Sequence, residues 1–133
     1  MIKSRKLINQ LKAFCKAAIP YHSALTAVRN HPGKPCGIGF HEDTGELISC
    51  PIYGEYVETP AGNIIYIYYN NIPDLELYIN TFIHEYVHST QDMNLYHDIA
   101  EESGMKDHPY ETDAQYIADQ YTQIALDTIK FKL

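Results

Sequence analysis

The stretch Thr81-Phe82-Ile83-His84-Glu85-Tyr86-Val87-His88-Ser89-Thr90-Gln91 decides how the rest of the chain is read. Leu75, Ile79, Phe82, Ile83, Tyr86 and Val87 recur at helical spacing, so the segment after Ile72-Pro73 reads as an amphipathic helix ending near Gln91. Asp74 stands where an N-cap belongs. On a helix, two histidines four residues apart lie about 40° apart around the axis and one turn along it. His84 and His88 can therefore converge on one ion at the roughly 2.0–2.1 Å that zinc prefers for imidazole nitrogen. Glu85 lies about 100° round from His84, close enough to hydrogen-bond a water held at that ion without becoming a ligand. A metal that lowers the pKa of such a water toward about 7 leaves Glu85 placed to take its proton. HExxH arises by chance in roughly 2–3% of shuffled chains of this composition, and two incidental helix-face histidines are the bland alternative. The context sharpens the signal, because His84, Glu85 and His88 sit off the strongest apolar stripe and a strand precedes their helix.

Working outward, residues 3–18 carry Leu7, Ile8, Leu11, Phe14, Cys15 and Ala18 at helical spacing, with Pro20 as the stop. His22 to Phe40 holds Asn30-His31-Pro32-Gly33 and Pro35 and reads as loop. Residues 46–72 read as sheet, with strands expected at Glu46–Ser49, Tyr53–Thr59 and Asn63–Asn70. Pro60-Ala61-Gly62 makes the hairpin turn between the last two. In the third strand Ile64, Tyr66 and Tyr68 point one way, while Ile65, Ile67 and Tyr69 point the other. Residues 93–108 read as a polar connector with Gly104. A last helix is expected from Pro109 to near Lys130, with Ile117, Tyr121, Ile124 and Leu126 among its buried residues. The fold class that follows is α+β: a small mixed or antiparallel sheet packed on the HExxH helix, a downstream helix and an N-terminal helix over residues 1–20. Residues 1–133 read as one domain, and no linker divides them.

HEYVH on a helix, with a strand before it and a carboxylate-bearing helix after it, resembles the zincin metallopeptidases. Within them it is most similar to the gluzincins of the thermolysin-like clan, including small phage-encoded or minimal forms. The resemblance covers about residues 53–125 and implies a zinc-dependent peptidase with one catalytic Zn2+, Glu85 as general base and a third ligand from the downstream helix. Pro109-Tyr110-Glu111-Thr112-Asp113-Ala114 supplies that glutamate, 23 positions after His88. The family pattern around it is NExxxD, whereas Tyr110 precedes Glu111 and Gln115 stands four residues after it. Asp113 or Gln115 is therefore left to orient a ligand histidine. The resemblance also implies that the sheet edge binds an extended peptide, with Tyr66, Tyr68 and Tyr69 beside the groove.

Apart from that resemblance, a catalytic zinc needs three protein ligands and one open position, and Glu111 suits the third place. It also lies in the first turn of a helix, where a glutamate often serves as a cap. His97 or His108 could complete a three-histidine site instead, although His108 precedes Pro109 and equally suits the helix entry. Cys50, 34 residues before His84, would give a peptide-deformylase-like amidase, but the glycine-rich and glutamine-bearing segments of that family are absent. Tyr96, His97 and His108 are the candidates to steady an oxyanion.

Composition narrows the function classes. The net charge of −7 argues against a general nucleic-acid binder. Five of the ten basic residues (Lys3, Arg5, Lys6, Lys12, Lys16) fall in the first sixteen positions. None lies between Lys34 and Lys106, a span holding twelve acidic residues. That is either a solvated acidic surface or a field favouring a basic peptide substrate. Cys15, Cys36 and Cys50 are an odd count without a CxxC pair, which suggests reduced thiols in an intracellular, cytoplasmic chain. Gln10, Lys12 and Lys16 interrupt any signal-peptide apolar region, and no run is long enough to span a bilayer. The expectation is a zinc-dependent hydrolase, probed against two rivals: a zinc-containing binding or structural module without catalysis, and a metal-free acidic adaptor.

Overall fold

The computed structural model describes residues 4–32, 37–40, 47–50 and 52–132; at 37–40, 47–50 and 130–132 the backbone alone is described. Helix α1 (Arg5–Ala18) buries Leu7, Ile8, Leu11 and Cys15 along one stripe. Ser4 caps its start by accepting the Leu7 N–H at 3.2 Å. The Ile19 N–H closes its end on the Cys15 carbonyl at 2.9 Å, one residue before Pro20. Strands follow at β1 (Ala27–His31), β2 (Gly37–Phe40), β3 (Leu47–Cys50), β4 (Gly54–Thr59) and β5 (Gly62–Tyr68). A 3₁₀ turn (Tyr69–Asn71) leads into α2 (Leu75–His88), α3 (Met93–Ser103) and α4 (Pro109–Lys132). The α+β expectation holds, with four helices and a small mixed sheet among the described residues.

The three-stranded sheet has the order β1-β5-β4. β5 pairs parallel with β1 (Val28 opposite Ile65) and antiparallel with β4 (Gly54 opposite Ile67). β2 and β3 form a separate antiparallel ladder. The β4–β5 turn passes through Pro60-Ala61, and Gly62 opens β5 at φ 145°, a backbone conformation that L side chains rarely adopt. Alternation along β5 buries Ile65 and Ile67 completely while Ile64 and Tyr66 stay half-buried; Tyr69 falls in the turn beyond the strand.

Helix α2 sits at the centre of the core. Asp74 caps it by accepting the Leu77 N–H at 2.8 Å, an interaction that stabilises a helix by about 0.5–2 kcal/mol. It packs against α1, α4, β4 and β5, burying Tyr78, Ile79, Phe82, Ile83, Tyr86 and Val87. Helix α4 meets it through a stripe of small residues, Ala114, Ala118 and Ala125 with Thr122, that lets the two backbones approach closely. That stripe corrects the expected one. Leu126 is buried and Ile117 and Tyr121 are half-buried, but Ile124 is 52% exposed, because alanine and not isoleucine occupies the contact line.

Two more expectations are corrected. The stretch read as loop contains β1 and β2. In β1 Val28 alone is buried, too little to produce an alternating pattern, and the strand forms through its distant partner β5. The connector contains α3, whose residues are all at least partly exposed, so it writes no apolar stripe. Local chemistry makes that helix instead: Asp92 accepts the Asn94 and Leu95 N–H groups, and Gly104 at φ 76° ends it. Cys15 is a free, buried thiol whose pKa burial pushes up. Cys36 and the Cys50 side chain lie outside the described residues. Among the described residues, no helix is long and apolar enough to cross a membrane.

Candidate metal centre

His84 and His88 lie in the last turn of α2, one turn apart, with Glu85 between them. Their three ligand atoms fall within 4.8 Å of one another, a cluster that could hold a metal ion. Glu111, in the first turn of α4, closes on the histidines more tightly than Glu85 does. Its Oε2 lies 3.2 Å from His84 Nε2 and its Oε1 2.8 Å from His88 Nε2, while the two Nε2 atoms are 3.2 Å apart. The Glu111 carboxylate therefore turns toward the histidines and not to the backbone of its own helix. Tyr96 of α3 donates its hydroxyl to Glu111 Oε1 at 2.8 Å.

Two glutamines aim the imidazoles. Gln115 donates its amide N–H groups to Asp119 Oδ1 at 2.7 Å and Asn80 Oδ1 at 3.1 Å, so its carbonyl oxygen faces His84 Nδ1 at 3.0 Å. Gln91 donates to the Tyr110 carbonyl at 3.0 Å, and its oxygen lies 2.6 Å from His88 Nδ1. An amide oxygen only accepts, so the network assigns a proton to Nδ1 of both rings. In neutral rings both Nε2 atoms are then bare acceptors. Two bare nitrogens and a carboxylate at 2.8–3.2 Å repel one another unless a positive charge lies among them, either a proton on a ring or a metal ion.

The titration shifts describe the proton-filled form of the cluster. Burial works against charge on His88, but its hydrogen bond with Glu111 and the nearby Glu85 and Glu111 charges outweigh it and raise the His88 pKa. Burial would raise the Glu111 carboxyl, yet hydrogen bonds from His84 and His88 and the His88 charge hold it well below the usual carboxylate range. Glu85 goes the other way: burial raises its pKa against the opposing pull of His84 and His88. No described residue hydrogen-bonds the Glu85 carboxylate, which is 8% exposed.

Glu85 reaches this position because β4 comes very close to α2. A Cβ on Gly54 would stand 2.8 Å from Thr81 Cγ2 and 3.5 Å from Glu85 Cγ, so only glycine lets the strand pass here. Between β4, α2 and α3 runs an open groove of about 680 Å³, with His84, Glu85, His88 and Glu111 in its wall. Glu55 and Glu58 line it from β4, and Met93, Tyr96 and Met105 from the other side.

The sequence candidates separate cleanly. His84, Glu85, His88 and Glu111 are brought together. His108 is not available to a metal: Nδ1 accepts the Tyr110 N–H at 3.1 Å and Nε2 donates to the Tyr96 carbonyl at 2.9 Å, which makes it the helix-entry residue of α4. His97 is exposed and lines the groove beyond Tyr96. Of the two residues left to orient a histidine, Gln115 does so and Asp113 is exposed. Tyr68 donates to Glu55. Gln91, Asn80 and Gly54 were not singled out by sequence reasoning; Gln91, three residues after His88, had a usable helical spacing as its signal. Comparison with protein-family models, with curated proteins and with solved structures finds no match.

Proposed function

We propose that this chain is a zinc-dependent hydrolase of peptide bonds, in which His84, His88 and Glu111 hold one zinc ion and Glu85 is the general base. One observation carries the reading: three acceptor groups, two of them imidazoles aimed by glutamine amides, are packed at 2.8–3.2 Å around a point that requires positive charge. Zinc bonded at about 2.0–2.1 Å to a tetrahedral set needs its ligand atoms about 3.3–3.4 Å apart, so the residues present fit the ion with small adjustments. A proton can fill the same place, which is why metal content is the first thing to measure. The arrangement also agrees with the zincin-type, gluzincin-like reading of HEYVH.

When bound, zinc supplies Lewis acidity, polarising a carbonyl and making water acidic enough to ionise near neutral pH. The chain's own residues do the rest. Glu85, buried beside the histidines without a hydrogen-bond partner among the described residues, accepts a proton from the attacking water and carries it toward the leaving amine. Its raised pKa suits both halves of that task. Gln91 and Gln115 fix the rings, and Tyr96 is the phenol placed to donate at the groove wall. β4 is an edge strand, so an extended peptide can add to it along the groove. Glu55 and Glu58 favour a basic peptide there, and among the described residues lining the groove there is no Lys or Arg.

The test is Glu85→Gln, which keeps shape and removes the base. Purified parent and variant should each hold one zinc, while hydrolysis of a basic peptide falls by about 10²–10⁴-fold and is abolished in the parent by a chelator. Equal hydrolysis by both proteins removes Glu85 from the mechanism. Stoichiometric zinc without hydrolysis of any peptide by the parent leaves a zinc-containing binding or structural module, and absence of zinc from the parent ends the metal reading.

A further inference from the structure

The chain has two arginines, Arg5 and Arg29, and both line one cavity of about 310 Å³ with Ile8 and Asn30. The cavity lies at β1, the edge of the sheet opposite β4. Arg5 is the first residue of α1, and its Nη1 donates to the Val28 carbonyl at 3.2 Å, which brings that guanidinium against the peptide unit leading into Arg29. Among the described residues no Asp or Glu pairs with either arginine, and the first turn of α1 carries no acid; the ion pairs among them join His84 and His88 to Glu111.

The third polar side chain completes the pattern. Asn30 Oδ1 accepts the hydroxyl of the buried Tyr78 at 2.6 Å, so the amide N–H group is what Asn30 has left to offer. The side-chain polar groups lining the cavity that remain unused are therefore all donors: two guanidinium forks and an amide. The positive end of the α1 dipole adds to them. Two like charges lining one cavity without a counter-charge among the described residues repel, and an anion between them removes that repulsion.

We propose that Arg5, Arg29 and Asn30 form a binding site for a phosphate group, separate from the metal groove. A phosphate presents a charge near −2 and more acceptor oxygens than one guanidinium can satisfy, which suits two arginines lining one cavity with an amide in its wall. A carboxylate has two coplanar oxygens and is satisfied by a single guanidinium. The ligand class is a small phosphorylated molecule or a phosphorylated side chain, and inorganic phosphate is the probe.

The full chain is titrated with sodium phosphate at constant ionic strength while the arginine Nε–H resonances are followed by NMR. Both resonances should move along one saturable curve. Arg29→Gln removes an exposed guanidinium with no structural bond of its own and should weaken binding about tenfold or more. Asn30→Asp keeps the acceptor for Tyr78 but puts a negative charge in the cavity, and should abolish saturation. Lys16→Gln, at the far end of α1, should change the affinity less than twofold. Acetate at the same ionic strength should bind at least about tenfold more weakly than phosphate. The site is overturned if the parent shows no saturable shift, or if Lys16→Gln weakens binding as much as Arg29→Gln, which would mean diffuse surface charge. Acetate binding as tightly as phosphate would overturn the phosphate assignment. The proposal is independent of zinc, so it stands or falls apart from the hydrolase reading.

Discussion

Helices α3 and α4 each send a side chain to the same carboxylate–histidine cluster, yet they are anchored in opposite ways. α4 carries Glu111, packs on α2, and buries alanines at 114, 118 and 125 together with Ile129. α3 carries Tyr96 and buries none of its residues. It is held by polar contacts at its rim: the Tyr96 hydroxyl on Glu111, and His108, which donates to the Tyr96 carbonyl and stacks on its ring at 4.2 Å. The groups that define the site are mounted on apolar burial, whose loss costs several kcal/mol. The group that forms its wall is mounted on half-buried hydrogen bonds, each contributing about 0.5–1.5 kcal/mol. α3 is thus the element able to open locally while the donor set stays in place.

The sharpest way to break this contrast is Glu111→Ala. Zinc affinity in a chelator competition should fall by more than the about 10–100-fold that loss of an orienting partner costs, since a ligand itself is gone. If it falls no further than in Tyr96→Phe, α4 does not carry the third ligand.

Acidification comes next. Zinc must displace the proton from His88, whose folded pKa is raised, so apparent affinity should begin to fall at a pH above the ordinary histidine value. Below that point each proton displaced costs about tenfold per pH unit. In the metal-free protein the signs differ. The raised His88 pKa contributes stability that is present below its unfolded value and is lost as pH rises through the folded one. The lowered Glu111 pKa contributes stability that is present above its unfolded value and is lost as pH falls through the folded one. Urea unfolding of chelator-treated protein against pH should therefore decline on both flanks; a flat profile would mean the pair is not formed.

Packing gives a smaller effect. Ala118→Leu should cost about 1–3 kcal/mol in urea unfolding and loosen zinc with it, because it forces α4 off α2. Ala100→Leu on half-buried α3 should stay within about 0.5 kcal/mol. Equal costs would erase the distinction between the two helices. Tyr96→Phe should be as mild as Ala100→Leu: stability within about 0.5 kcal/mol and zinc retained, with faster amide exchange confined to residues 93–103. A hydrolysis rate that also drops, at unchanged zinc content, would place the phenol on the reacting carbonyl.

The same contrast explains what could be read from the sequence. α2 and the ends of α1 and α4 were legible because burial and caps leave local marks: a stripe through Phe82 and Val87, Asp74 at an N-cap, and Pro20 and Pro109 at helix boundaries. The gathering of His84, Glu85 and His88 followed from spacing within a single helix. α3 leaves no mark because a helix with no buried face has no periodicity to detect, and β1 because Val28 alone is buried. Ile124 departs from its expected burial because a close helix pair selects alanine over larger apolar side chains. Gln91 and Gln115 act through hydrogen bonds fixed by Tyr110, Asn80 and Asp119, and that geometry exists only once α2 and α4 have packed.

Those two glutamines have a consequence for how the site meets its surroundings. A carboxylate behind a ring would let go on protonation and, while ionised, would push electron density toward the metal. Glutamine does neither. The aim of His88 is therefore blind to acidity, because a backbone carbonyl holds Gln91, while the aim of His84 leans on the Asp119 carboxylate through Gln115. With a metal held as proposed, a neutral backing also leaves each ring a softer grip on the ion. The site should exchange metal with the solution faster than one backed by aspartates, and its loading should track the zinc supply around it.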